Sequence, residues 1–186
     1  MRKTILLTMA VFSAISFAAC SNIMVMVGLE KGSPPITDSE YFNLQLDTLM
    51  ERLQKNQVRR FRKAAVLDFV NTNGKVSELG KYLTSKFGER AIVNGAFRVT
   101  PQGQVREALR KLKIDYKGQL TKDEVAQIGS ELGADAVVTG VLADLQKGSD
   151  VDLSVKAIQP SSGDLLTSAS VDIYRSKQVQ TLIQQF

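Results

Sequence analysis

The chain has 186 residues, with 24 Lys and Arg against 19 Asp and Glu, one cysteine, and neither histidine nor tryptophan. Without histidine there is no commonest general acid–base, no commonest metal ligand, and no Ser–His or Cys–His pair. One cysteine excludes a disulfide within the chain, so the core must hold by packing, and the basic balance calls for an anionic counterpart.

The first twenty residues read as an export leader. Met1-Arg2-Lys3 is a short positive region, and Thr4 to Ala19 is uncharged and mostly apolar. The stretch closes on Phe17-Ala18-Ala19-Cys20. An ordinary leader-peptidase site wants small residues three and one before the cut, and Phe17 fits that badly. The order resembles the lipobox of bacterial lipoproteins, from which Phe17 departs because Leu is usual there. Residues 1–19 are therefore expected to be a lipoprotein signal peptide, with the lipid on Cys20. Ser21, in place of Asp, implies by the same resemblance delivery to the outer membrane. The competing reading is an uncleaved N-terminal transmembrane anchor. No charge occurs from Thr4 to Leu29, which is long enough to span a bilayer, and Ile23–Val27 is apolar. Either way the rest of the chain lies outside the cytoplasm, which turns the basic balance away from nucleic acid and towards anionic envelope surfaces.

The lipidated N-terminus and linker are assigned to residues 20–37, with Lys31-Gly32-Ser33-Pro34-Pro35 breaking any helix. An amphipathic helix and basic linker fill 38–63. Asp38 or Ser39 can cap a helix from about Glu40 to Gln57, with Phe42, Leu46, Leu49, Met50 and Leu53 along one face. Lys55, Arg59, Arg60, Arg62 and Lys63 follow. This run reads as a solvated helix end, with contact to lipid headgroups or other envelope polyanions as the functional alternative.

Residues 64–186 read as one α/β unit. Ala64–Val70 is a nearly continuous apolar strand. Asn71-Thr72-Asn73-Gly74 is a turn. Ser77 to about Val93 is a helix with Leu79, Leu83, Phe87 and Ile92 apolar, ended by Asn94-Gly95. Phe97-Arg98-Val99 is a short strand. Thr100-Pro101 should then supply a cap and a first helical residue, ahead of Val105, Ala108, Leu109 and Leu112. Thr121-Lys122-Asp123-Glu124 has the form of a capping box, and Gly133 stops that helix. Ala136–Leu145 is a strand, 146–149 a turn, and Val151–Ala157 an alternating strand. Pro160–Asp164 turns again, and Leu165–Tyr174 is the last strand, with Leu165, Ala169, Val171 and Ile173 on one face. Val179, Leu182, Ile183 and Phe186 make an apolar tail at helical spacing. The fold class is α/β: a single mixed sheet with packed helices and a C-terminal three-stranded antiparallel meander.

Two blocks carry a family resemblance, AVLDFVNTNGKVSELGKYLTSKF (residues 65–87) and LTKDEVAQIGSELGADAVVTGVL (residues 120–142), with a third, weaker one in VDLSVKAI and Ser162-Gly163-Asp164-Leu165. Together they resemble FlgO-type domains, part of a wider group of envelope proteins that includes the curli secretion component CsgG. The resemblance covers roughly residues 64–174. It implies an accessory outer-membrane lipoprotein supporting the flagellum and motility. A lipoprotein regulator of a cell-wall synthesis enzyme also uses a related-looking domain. A curli-type channel would need extra strands of about nine to eleven residues, and no spare hairpin is present.

The residues shared with the family serve the fold. Asn73-Gly74 allows a tight turn, Gly80 close helix packing, and Gly140 a bulge or close backbone approach. Asp68, Asp135 and Asp144 are the carboxylates that glycosidase-type chemistry would require, but each sits at a strand end or turn, where capping suffices. Gly74-Lys75 lacks the spacing of a phosphate loop. No catalytic, cofactor-binding or metal-binding residue is therefore assigned, nor a small-molecule substrate. The expected partners are the membrane, through Cys20, and envelope proteins, either the flagellar basal body or further copies of this chain.

The leader reading has a direct test. Cys20→Ser should abolish palmitate labelling and release the chain from the membrane fraction. Full retention without labelling would contradict lipidation and leave the uncleaved anchor.

Overall fold

The computed structural model describes residues 38–144 and 150–185. The leader, Cys20, the 31–35 linker, Leu145 with the 146–149 turn, and Phe186 lie outside the described residues. Six strands form one mixed sheet: β1 (Lys63–Val66), β2 (Val70–Asn71), β3 (Arg98–Val99), β4 (Ala136–Ala143), β5 (Asp150–Ile158) and β6 (Leu165–Tyr174). The order is β3-β1-β4-β5-β6, with β2 also paired to β4. β1 runs parallel to β3 and β4, while β4, β5 and β6 form the antiparallel meander that the alternating sequence requires.

Among the described residues five helices cover it: α1 (Asp38–Lys55), α2 (Glu78–Val93), α3 (Gln102–Leu112), α4 (Lys122–Leu132) and α5 (Lys177–Gln184). Successive residues of β1 point to opposite faces. Ala64 and Val66 join the larger core with residues of α1, α2 and α5. Ala65 and Leu67 join Val105 of α3 and Val125 and Ile128 of α4 in a smaller core on the other face. This two-sided burial is why Ala64, Ala65 and Val66 are all apolar. β5 alternates because one of its faces is the more deeply covered: Val151, Leu153, Val155 and Ala157 are buried and Lys156 is exposed.

Both amphipathic elements that flank the resemblance fold back onto this core. Phe42, Leu46, Leu49, Met50 and Leu53 of α1 are buried, as are Val179 and Ile183 of α5. Along the free edge of β6, residues of α1 and the turn after it occupy strand backbone groups. Val58 N donates to the Leu166 carbonyl (2.9 Å), Asn56 Nδ2 to that of Ser168 (3.2 Å) and Arg52 Nη1 to that of Ser170 (2.6 Å). Tyr41 Oη accepts from Tyr174 N (2.7 Å). A ten-residue edge strand would otherwise offer itself for pairing with another chain.

The structure corrects the sequence reading at four places. The strand expected over Ala64–Val70 is broken into β1 and β2. Val66 pairs with Val138 but Val70 with Val141, so four steps on one strand match three on the other. The extra residue is a bulge that swings Phe69 under α2. Pro101 occupies the cap position of α3 with φ −54° and ψ 136°, and no side chain caps that helix. Thr100 instead continues the strand ladder, its amide donating to Ala64 O at 2.9 Å. Ile92 is 63% exposed, and Ala91 completes the buried row Leu79, Leu83, Phe87. Leu165 is 50% exposed and Leu166 is buried, because the β5–β6 register shifts beside Ile158.

The first helix spans Asp38–Lys55, so Asp38 and Ser39 lie inside it and do not precede it as caps. Several other signals hold. Thr121 and Glu124 make the reciprocal capping box, and Gly133 ends α4 in the left-handed conformation (φ 55°). Ser77 caps α2. Gly74 has φ 78°.

The packing at Phe69 yields a paired prediction. A methyl group on Gly140 would collide with the Phe69 ring, whereas Gly103 in α3 faces open space. Gly140→Ala should lower unfolding free energy by about 1–3 kcal/mol. Gly103→Ala should be neutral or stabilising by up to about 1 kcal/mol. Urea denaturation of both variants checks the contrast, and equal effects would contradict the packing described.

Candidate functional site

The three carboxylates of the sequence reading are kept apart by structural roles. Asp68 lies 3.4 Å from Arg106 Nε. Asp144 lies 3.2 Å from Arg175 Nε, both side chains largely buried. Asp135 Oδ2 accepts from the amides of Arg62 and Lys63, each at 3.0 Å. Among the described residues no three His, Cys, Asp or Glu side chains gather as metal ligands. Burial pushes the Tyr116 phenol far above its ordinary value, with Thr139 and the Gly140 backbone only partly offsetting it. Its hydroxyl makes no well-directed hydrogen bond. It is a core phenol held neutral, unsuited to proton transfer near neutral pH.

What the structure does assemble is a basic groove of about 630 Å³. One wall is the segment between α1 and β1, carrying Arg59, Arg60 and Arg62; the others come from α4 and from the turn at Gln159–Ser161. Asp135 fastens the arginine segment through the two amide bonds above, and its own amide donates to Lys63 O at 2.9 Å. Lys63 Nζ reaches the Leu132 carbonyl at 2.6 Å, a cation at the negative end of α4. The opposite side depends on Gly129. Any side chain there would strike the Pro160 ring, so glycine lets α4 lie against the β5–β6 turn. Gln159 N donates to Asp164 O (2.8 Å) and Gly163 N to Gln159 O (2.8 Å), which closes that turn.

The basic run that the sequence presents as a solvated helix end is thus held on one rim of a concavity. Arg59, Arg60 and Arg62 are exposed. None makes an ion pair with a described residue. Sequence reasoning placed Pro160 in a turn but passed over Gly129, whose signal is a glycine in the middle of a helix.

A second, smaller hollow of about 380 Å³ lies between α1 and Asn94, lined in part by Leu44, Asp47 and Glu51. Here Arg90 grips Asp47 with two bonds, Nε to Oδ1 at 2.6 Å and Nη2 to Oδ2 at 2.7 Å, and Asn94 Nδ2 adds a third at 2.8 Å. Burial alone would raise the Asp47 carboxyl. The hydrogen bonds from Arg90 and Asn94, with the guanidinium charge, outweigh it and hold the carboxyl below its ordinary value. The same bond raises Arg90. The pair clamps α1 to α2.

No protein-family model matches the chain, and no curated protein matches it in sequence. The FlgO-type assignment therefore has no support of that kind. Solved structures do match in fold. The LpoB C-terminal domain from Escherichia coli is 16% identical with TM-score 0.58, covering 72% of this chain and 98% of that one. The NMR structure of E. coli LpoB is 16% identical with TM-score 0.60, covering 79% and 75%. Lipoprotein GNA1162 from Neisseria meningitidis is 16% identical with TM-score 0.50, covering 62% and 82%. At these identities the likeness is one of fold. Among the described residues no helix is long and apolar enough to cross a membrane.

The clamp predicts a pH dependence. Its stabilisation is complete above the unfolded carboxylate value and is lost as pH falls through the lowered folded value. Asp47→Asn should cost about 1 kcal/mol or less at neutral pH, since the Asp47 side chain is 34% exposed. The gap in melting temperature between native and variant should hold from pH 7 to about 4 and shrink below that. A gap that widens on acidification would contradict the assignment.

Proposed function

We propose that this chain is a non-enzymatic envelope lipoprotein, held at the outer membrane by lipid on Cys20, that acts by docking on a cell-wall synthesis enzyme and regulating it. The observation that carries the reading is the fold likeness to the LpoB domain, nearly all of which is matched. The likeness to lipoprotein GNA1162 favours the same compartment. The site chemistry agrees, since each carboxylate considered for catalysis is taken up by a fold contact.

The flagellar role implied by the FlgO resemblance has no support from the comparisons. A curli-type channel is disfavoured on packing. β5 and β6 have nine and ten residues, long enough to span by count. Yet Val151, Leu153, Val171 and Ile173 from both strands are sealed in the core with α1, α2 and α5, so this hairpin is not free to enter a barrel.

The test is deletion of the gene, scored for wall-synthesis rate and for motility. Wall synthesis should fall while motility persists. Loss of motility with normal wall synthesis would overturn the regulator reading in favour of the flagellar one.

A further inference from the structure

We infer that the arginine groove is the docking site for a carboxylate-bearing segment of the protein partner. This rests on the docking reading above and deepens it by naming the surface and the chemistry it selects.

Three features select that occupant. The first is net positive charge. Arg59, Arg60 and Arg62 line one concavity, and its carboxylate, Asp135, is already bound to the amides of Arg62 and Lys63. Guanidinium groups with no internal partner match carboxylates, which they can hold with two parallel bonds. The second is shape. The hollow encloses about 630 Å³ between α4, the 159–161 turn and the arginine segment. A concavity of that size admits a short peptide segment. The third is the lining. Ala126 and Pro160 contribute accessible apolar surface beside polar Ser130 and Gln159. A lining of that mixture suits a segment that alternates acidic and apolar side chains, because it would bury apolar area while its charges meet the arginines.

The anchoring of the segment supports the same conclusion. Both ends of the arginine run are tied down, by Val58 N to Leu166 O at 2.9 Å and by the bonds of Asp135 to residues 62 and 63 at 3.0 Å. The guanidinium groups are thus presented from a fixed backbone, which lowers the ordering cost of binding.

The experiment uses the full lipidated chain in phosphatidylcholine nanodiscs. The probe is a fluorescent ten-residue peptide with Glu at every second position and Leu or Ala between. The native chain should bind it, more weakly as salt rises. Arg59→Gln, Arg60→Gln and Arg62→Gln together should weaken binding by about tenfold, with the melting temperature kept as a check that the fold is intact. Charge reversal at the same positions should abolish binding. Equal affinity of native and triple-Gln chains, or no affinity in either, overturns the proposal. So does displacement of the peptide by phosphatidylglycerol placed in the discs or by inorganic phosphate, which would make the occupant a phosphate group. The same variant in cells separates this inference from the proposed function. If gene deletion lowers wall synthesis but the triple-Gln chain acts like native, the groove fails and the regulator reading stands. If the triple-Gln chain loses the peptide while gene deletion leaves wall synthesis intact, the groove stands and the choice of enzyme fails.

Discussion

Phe69 is the point at which the sheet and its helical cover are locked together. Its amide donates to Thr84 Oγ1 at 2.8 Å, and the Thr84 hydroxyl donates to Gly80 O at 2.7 Å. Its carbonyl lies where any side chain on Gly80 would sit, and its ring lies over Gly140 and edge-on to Phe87 at 5.5 Å. One bulged residue thus joins β1, β2, β4 and α2. The remaining large elements on that face depend on α2 being so close. α1 is clamped to it through Asp47 and Arg90, and the end of α5 is tied near its start, where Glu78 N donates to Gln185 O at 2.9 Å. The glycines at 80 and 140 serve as clearances for a single aromatic residue.

The second constraint is the covered edge of β6. Because α1 and its following turn bond strand groups from Leu166 to Tyr174, much of that edge is closed to strand addition. A partner would then engage side-chain surface, and in the groove beside the same turn three guanidinium groups make no ion pair with a described residue. The bond from Val58 N to Leu166 O belongs to both devices: it closes the edge and fixes the arginine segment that follows. Edge protection and presentation of charge are therefore linked through one stretch of chain.

The sequence made much of this fold legible. Period-two alternation marked β5, three-and-four spacing marked α1 and the tail helix, and the capping box at Thr121 marked the start of α4. What could not be read were events between elements. Ala64–Val70 is apolar at every position but Asp68, so no periodicity could reveal that Phe69 leaves the strand line. Leu165 and Leu166 are chemically alike, and only the register shift against β5 decides which one is buried. The arginine run carries no periodic signal, and its meaning comes from Gly129, Pro160 and Asp135, which are 66 or more positions away in sequence. Site geometry built from such long-range neighbours is set by tertiary packing, which local pattern does not encode.

The proposed contact is between the groove and a wall-synthesis enzyme. The direct measurement is a photo-activated crosslinking residue placed at Ser161 on the groove rim in living cells, with Lys81 on the outer side of α2 as the control position. A crosslink is expected from position 161 to a cell-wall synthesis enzyme, lost on removal of the three arginine charges, and none from position 81. A crosslink from position 161 to a flagellar component, or the same enzyme captured equally from position 81, would contradict it.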